Sequence, residues 1–123
     1  MGDAEKLFVY GTLMKKAHHP MHKVLSRYAR YLDEATACGR LYRIADYPGM
    51  VEDPHCKEMV KGELYEILDK KRLFLALDRY EGTEYEKRVV PVETKEGETN
   101  AWVYLYRGSI KNKRPITHGK WKW

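Results

Sequence analysis

The chain has 123 residues, of which 43% are hydrophobic and 33% are charged, and its formal net charge is +5 at pH 7. This composition is typical of one folded domain and excludes a disordered chain, and no apolar stretch approaches the roughly 18 residues that a membrane helix requires. Residues 1–6 lack the pattern of a secretory signal, so we expect a cytoplasmic protein with no membrane partner.

The first half of the chain predicts a strand, a helix and a second strand. An apolar run indicates a strand over residues 5–10, which ends in the turn Tyr10-Gly11-Thr12-Leu13. Apolar residues at three- and four-residue spacing then predict a helix that contains Met21, Val24, Leu25, Tyr28 and Leu32. Residues 35–44 follow as a strand, and Asp46-Tyr47-Pro48-Gly49 is typical of a turn.

The second half predicts a strand, a helix and a hairpin. Residues 60–67 alternate as a half-buried strand does, and residues 70–80 place apolar side chains on one helical face before Gly82, a typical helix-ending glycine. Residues 87–93 and 100–106 flank a polar segment suited to a hairpin connection. About five strands and two helices without regular alternation predict an α+β domain built around a curved sheet or a small β-barrel.

The excess of positive charge lies at the C-terminal end. Residues 1–110 contain 18 basic and 18 acidic residues, so all five excess charges fall in residues 111–123. We interpret 1–110 as a single domain and 111–123 as a basic, aromatic tail. Such a tail could contact phosphates and bases, but a tail that is solvated or packed on the body is the simpler interpretation, and we expect no nucleic-acid partner.

Glu81, which ends the second predicted helix, is the first candidate for chemistry. The C-terminal helix dipole disfavours its charge, and burial in an apolar pocket would also raise its pKa toward the range that suits general acid/base catalysis. A surface glutamate is the alternative. Tyr85, which follows the turn at Gly82, would orient the carboxylate or a ligand, or would lie at the edge of the core.

The Tyr10 turn is the second candidate, because glycine lets a ligand approach the backbone closely and the turn can present bare N–H donors. An ordinary junction between a strand and a turn is the alternative. Cys38 and Cys56 have no second pair, so we expect unpaired thiols. The sequence around His18, His19 and His22 lacks a third metal ligand, so we expect these histidines to be structural or solvated, and no metal site.

Six short segments occur in an order that resembles a known family. They are Val9-Tyr10-Gly11-Thr12-Leu13, Gly39-Arg40-Leu41-Tyr42, Tyr47-Pro48-Gly49, Val60-Lys61-Gly62-Glu63-Leu64-Tyr65, Leu77-Asp78-Arg79-Tyr80-Glu81-Gly82 and Tyr85. In this order and spacing they resemble the γ-glutamylcyclotransferase-like (AIG2-like) family, and look most similar to its small bacterial and archaeal members and to γ-glutamylamine cyclotransferases. Lys87 stands where members often carry an arginine, and Arg88 follows one position later.

The resemblance implies a mixed β-barrel with a few helices and a cavity for a γ-glutamyl group. It implies that Glu81 is the catalytic acid/base, that Tyr10, Gly11, Thr12 and Leu13 bind substrate, and that no cofactor is needed. The implied reaction is an intramolecular acyl transfer that releases 5-oxoproline and a free amine from a γ-glutamyl amine or dipeptide. A binding or regulatory module that uses the same cavity without turnover is the alternative.

Overall fold

A computed structural model of the chain describes residues 5–11 and 13–121. Two α-helices lie within these residues, α1 (Pro20–Tyr28) and α2 (Lys70–Glu81). The strands in the same residues are β1 (Lys6–Val9), β2 (Ala29–Arg43), β3 (Pro48–Glu52), β4 (Met59–Ile67), β5 (Tyr85–Thr94), β6 (Gly97–Tyr106) and β7 (Arg114–Ile116). A 3₁₀ turn, Gly82–Glu84, connects α2 to β5.

Five of the strands close into a barrel. Their order is β2-β4-β1-β6-β5, and a pairing between Thr36 of β2 and Glu93 of β5 completes the ring. The pairing of β1 with β6 is parallel and the others are antiparallel. The prediction of an α+β fold built on a small mixed β-barrel with two helices is therefore confirmed. Strands β3 and β7 add to the far end of β2 as further antiparallel partners.

The core has two parts, and β1 contributes to both. Phe8 packs in one cluster with barrel residues such as Leu64 and Val103, whereas Leu7 and Val9 pack in the other with residues of α1 and α2. Alternate side chains of a strand point to opposite faces, so β1 is covered on both faces. This double burial explains why the segment is a continuous apolar run rather than an alternating one.

Helix α1 ends four residues before the predicted limit. Leu32, which we placed on the helix, lies instead on β2, because the chain pairs with β4 from Ala29 onward. The carbonyl oxygen of Tyr28 accepts hydrogen bonds from the N–H groups of Leu68 and Asp69, so the last turn of the helix bonds to the end of β4 rather than to a further turn. Pairing between distant segments outweighs the local helical spacing here.

The region after β2 also differs from the prediction. The N–H of Ile44 donates to the carbonyl of Tyr47 at 3.0 Å, which closes a turn one or two residues earlier than predicted. Pro48 and Gly49 then begin β3 rather than complete the turn, and proline is tolerated there because it is the first residue of a strand.

Cys38 and Cys56 form a disulfide, with their Cα atoms 4.9 Å apart, so the expectation of unpaired thiols is wrong. The loop that carries Cys56 folds back because the buried carboxylate of Asp53 accepts hydrogen bonds from the N–H groups of Lys57 and Glu58. This turn places Cys56 beside β2, a proximity that the spacing of 18 residues does not reveal.

The segment after residue 110 packs on the rest of the chain as far as it is described. Strand β7 pairs with β2, and Trp121 is 4% exposed within the barrel cluster. The guanidinium of Arg43 lies 4.7 Å from the centre of the Trp121 ring, which is a favourable cation–π distance. Basic and aromatic residues that we assigned to a tail therefore contribute to the packed structure.

Neither α1 nor α2, nor any other helix in the described part of the chain, is long and apolar enough to cross a membrane.

Gly62 on β4 allows β1 to approach closely, which yields a test of the fold. A Cβ atom at this position would collide with the carbonyl oxygen of Val9 and the ring of Phe8. We expect Gly62→Ala to lower the free energy of unfolding by about 2 kcal/mol or more, since overpacking against backbone cannot be relieved by a side-chain rotation. Urea denaturation measures this change, and Lys61→Ala, at the neighbouring exposed position, should remain within about 0.5 kcal/mol of the wild type.

Candidate active site

A cavity of about 500 Å³ opens where β1 ends, and it brings the two candidate regions together. Gly11 and Leu13 line it from the turn after β1, and Glu81 and Tyr85 line it from the end of α2 and the start of β5. These residues are about 70 positions apart in sequence. The barrel and the packing of α2 against it create the proximity.

Helix α2 places Glu81 at the cavity because Glu81 lies on the same face of the helix as its buried apolar residues. Leu73 and Leu77 are fully buried, and Glu81 follows at the same four-residue spacing, so its side chain leaves the same face of the helix. Asp69 begins the helix by accepting a hydrogen bond from the N–H of Arg72. Gly82 ends it with a φ of 73° and donates its N–H to the carbonyl of Asp78, a conformation that favours glycine.

The carboxyl group of Glu81 lies in a desolvating environment. Glu81 is half-buried, and burial raises its pKa from 4.5 to about 7. Within residues 5–11 and 13–121, no group donates a hydrogen bond to this carboxylate. A carboxylate without donors has nothing to stabilise its charge in a partly dry cavity, which makes it a proton acceptor near neutral pH.

Three tyrosines surround Glu81, but their hydroxyl groups are bound to the protein. Tyr10 donates to the carbonyl of Tyr104 at 2.7 Å and accepts from the N–H of Met50 at 3.1 Å. Tyr85 donates to the carbonyl of Pro48 at 2.6 Å. Burial first, and the charge of Glu81 among lesser causes, raise the pKa of each of Tyr10, Tyr85 and Tyr104.

These hydroxyl contacts define what Tyr10 and Tyr85 contribute. Both line the cavity, while their hydroxyl groups hold β3 and β6 in place. Tyr104 donates to a carboxylate oxygen of Asp78 on α2 at 2.7 Å and so fixes the helix that carries Glu81. The tyrosines thus form a rigid wall, and their pKa values keep the hydroxyl groups protonated at neutral pH.

The turn after β1 presents open backbone donors. The N–H groups of Gly11 and Leu13 have no acceptor anywhere in the described residues, although both residues are buried and line the cavity. Backbone N–H groups of buried residues are nearly always paired, so these two are candidates to bind an acceptor on a ligand in the cavity that both residues line. A Cβ on Gly11 would lie 2.8 Å from Pro48, so only glycine fits here. Thr12 lies outside the described residues.

The mouth of the cavity contains residues that sequence reasoning did not select. His19 caps α1: its Nδ1 accepts a hydrogen bond from the N–H of Met21 at 3.1 Å, so the neutral ring carries its proton on Nε2. The ring packs against Tyr80, with the centres 5.4 Å apart. The position of His19 directly before Pro20, a typical first helical residue, is the signal that could have placed it at a helix start.

The connection before β3 and the 3₁₀ turn after α2 contribute acidic groups to the cavity. Tyr47 donates to a carboxylate oxygen of Glu84 at 2.8 Å, and this hydrogen bond, more than burial, raises the pKa of Tyr47 to about 12. Among the described residues that line the cavity, the acidic side chains are Asp46, Glu81 and Glu84. In the same described residues, no three His, Cys, Asp or Glu side chains are grouped to hold a metal ion.

Comparison with known proteins gives a consistent result at the level of the family. The family model described as gamma-glutamyl cyclotransferase, AIG2-like, matches residues 7–123. A search of curated individual proteins gave no match.

Solved structures share the fold over almost the whole chain. An uncharacterized protein from Pyrococcus horikoshii is 31% identical, with a TM-score of 0.66, and the match covers 95% of this chain and 89% of that one. YkqA from Bacillus subtilis is 30% identical with a TM-score of 0.77, and the match covers 95% of this chain but only 39% of YkqA. An AIG2-like protein from Mus musculus, 21% identical, shares the fold with a TM-score of 0.73 over 96% of this chain and 88% of its own.

The raised pKa of Glu81 predicts a pH-dependent cost to stability. Because the folded pKa of about 7 exceeds the ordinary 4.5, the folded state binds more protons between these values, and stability falls as the pH rises through this window. Glu81→Gln removes the titration and should therefore be more stable than the wild type at pH 8, by up to about 3 kcal/mol, with little difference at pH 4. Urea unfolding at both pH values measures this.

Glu96→Gln, in the exposed β5–β6 connection, controls for the loss of one negative charge. A stability difference between Glu81→Gln and the wild type that is equal at pH 4 and pH 8 would contradict the desolvation of Glu81.

Proposed function

The chain belongs to the gamma-glutamyl cyclotransferase, AIG2-like family, and from this premise we propose that it is a γ-glutamyl cyclotransferase. It converts a γ-glutamyl amine or dipeptide into 5-oxoproline and a free amine. The observation that carries the proposal is the shared cavity. It is lined by Glu81, whose pKa is about 7 and to which no group of the described residues donates a hydrogen bond, and by Gly11 and Leu13, whose N–H groups have no acceptor among the same residues.

The chemistry needs one proton carrier and one site for developing negative charge. Glu81 takes a proton from the α-ammonium group of the substrate, and the freed amine attacks the γ-carbonyl carbon of the same molecule. The γ-carbonyl oxygen gains negative charge as the new C–N bond forms. Donors placed where this charge develops stabilise the transition state, and the N–H groups of Gly11 and Leu13 are the open donors of this cavity.

Collapse of the tetrahedral intermediate completes the reaction. The bond from the γ-carbon to the leaving nitrogen breaks, and Glu81 returns its proton to that nitrogen. The new ring nitrogen then gives up its second proton through the same carboxylate to the released amine, so the products are 5-oxoproline and an ammonium ion. No water enters the balance. A carboxyl group whose pKa lies near neutrality is suited to both transfers, since it must accept and release a proton at the same pH.

The charge of the cavity agrees with an ammonium-bearing substrate. No lysine or arginine of the described residues lines the cavity, and Glu81 is the acidic group at its buried end. The α-ammonium is therefore attracted to Glu81, whereas the α-carboxylate must be received by neutral donors. Folding of the substrate over this surface brings amine and carbonyl together, which supplies much of the catalytic effect.

Removal of the proton carrier tests the proposal. We expect Glu81→Gln to lower kcat/KM for 5-oxoproline formation by about 10²- to 10⁴-fold, the usual contribution of a general acid/base group. The reaction should be followed by chromatography of 5-oxoproline with a panel of γ-glutamyl amines and dipeptides. For the wild type, kcat/KM should fall as the pH drops below about 7, because protonated Glu81 cannot accept the α-ammonium proton.

Glu86→Gln, which changes an exposed carboxylate on β5, serves as the matched control and should retain wild-type turnover. Turnover that survives Glu81→Gln would refute the catalytic assignment. Saturable binding of a γ-glutamyl compound without any product would instead indicate a binding module that uses the same cavity.

A further inference from the structure

Glu63 on β4 is a buried carboxylate that the proposed chemistry does not use. It is 7% exposed, and it is not among the residues that line the cavity. Its Oε1 accepts two hydrogen bonds of 3.0 Å, one from the N–H of Lys15 and one from the hydroxyl of Tyr65. No lysine or arginine of the described residues forms an ion pair with it. A buried charge balanced only by hydrogen bonds is costly, so its position calls for a reason.

His22 on α1 reaches the same turn from the other side. Its Nδ1 lies 2.9 Å from the carbonyl oxygen of Leu13, and a carbonyl can only accept, so Nδ1 carries a proton. In the neutral ring Nε2 is then an acceptor, and the hydroxyl of Ser26 lies 3.2 Å from it. A chain of donors therefore runs from Ser26 through His22 to Leu13 and fixes the orientation of the imidazole.

The two contacts hold a segment of three residues at both ends. The Leu13 carbonyl is bound toward α1, and the Lys15 N–H is bound toward β4. The Tyr65 ring joins the two sides, since its hydroxyl binds Glu63 and its ring meets the His22 ring edge-on, with the centres 6.2 Å apart. Within the turn, the Met14 N–H donates to the Gly11 carbonyl at 3.0 Å.

We propose that Glu63 and His22 are positioning residues that clamp the turn after β1, so that the N–H groups of Gly11 and Leu13 stay directed at the substrate. The bond at the Leu13 carbonyl fixes the peptide plane next to the one that carries the Leu13 N–H, and the bond at the Lys15 N–H fixes the plane after it. The bond from the Met14 N–H to the Gly11 carbonyl ties Gly11 to the same segment. Preorganised donors cost no rearrangement when charge develops, and small displacements of such groups reduce rates strongly. The kinetic part of this inference rests on the proposed function.

The test compares variants that keep or remove two hydrogen bonds, the one from the Lys15 N–H to Glu63 and the one from His22 to the Leu13 carbonyl. In Glu63→Gln the side-chain oxygen still accepts both hydrogen bonds, so the Kd for 5-oxoproline, measured by NMR titration, and kcat/KM should remain within about threefold of the wild type. Glu63→Ala and His22→Ala should each raise the Kd and lower kcat/KM by about 10- to 100-fold, and hydrogen exchange of the Lys15 amide should accelerate in Glu63→Ala. Glu66→Gln, on the same strand, is the control.

Three outcomes overturn the clamp. Variants that lower the Tm but leave the Kd, kcat/KM and Lys15 exchange unchanged would assign a merely structural role. Loss of turnover in Glu63→Gln to the level of Glu81→Gln would place Glu63 in the chemistry instead. His22 is less buried than Glu63, and a normal Kd in a folded His22→Ala variant would remove one side of the clamp even if Glu63→Ala fails to fold.

Failure of the proposed function is a separate result. A wild-type protein that neither binds 5-oxoproline nor forms it contradicts the cyclotransferase assignment. Hydrogen exchange of the bonded amides of Met14 and Lys15 then decides the clamp alone, since faster exchange in the alanine variants supports it and unchanged exchange overturns it.

Discussion

The burial of β1 on both faces is the constraint on which the rest of the structure depends. This short strand lies between β4 and β6, and its side chains enter the barrel cluster on one face and the helix cluster on the other. The backbone must leave the barrel as soon as the strand ends, and it does so in a turn with a glycine held against Pro48. The candidate site begins at this exit, so the position of the open donors follows from the strand.

The same packing that stabilises the fold desolvates Glu81 and raises its pKa. Leu73 and Leu77 anchor α2 on the helix side of the core, and the helix carries Glu81 into a partly dry cavity as its last residue. The desolvation that raises the pKa of Glu81 is unfavourable for folding once the carboxyl is ionised. The neighbouring hydroxyl groups of Tyr10 and Tyr85 do not relieve this cost, because they hydrogen-bond to the backbone of β3 and β6 rather than to the carboxylate.

Sequence patterns predict those parts of the structure that local chemistry determines. The limits of β4 and α2 follow to within one residue from alternation, from the Asp69 cap and from Gly82. The β5–β6 hairpin was also predicted, although β5 begins two residues and β6 three residues earlier than expected, and the order of short motifs identified the barrel. The errors arose where distant contacts override local spacing, as at Leu32 and at the Cys38–Cys56 disulfide. Glu81 was selected from its place at a helix end, whereas Glu63 and His22 read as ordinary strand and helix residues because their partners are backbone groups far away in sequence.

The residues at the mouth of the cavity come from segments that are not part of the barrel strands. Asp46 and Tyr47 lie in the connection before β3, Glu84 lies in the 3₁₀ turn after α2, and His19 precedes α1. Gly11 and Leu13 lie in the turn after β1, and Glu81 is the last residue of α2. For the proposed cyclotransferase, substitutions in these connections would change the groups that meet the leaving amine while Glu81 and the turn after β1 stay the same, an arrangement that favours diversification by loop exchange.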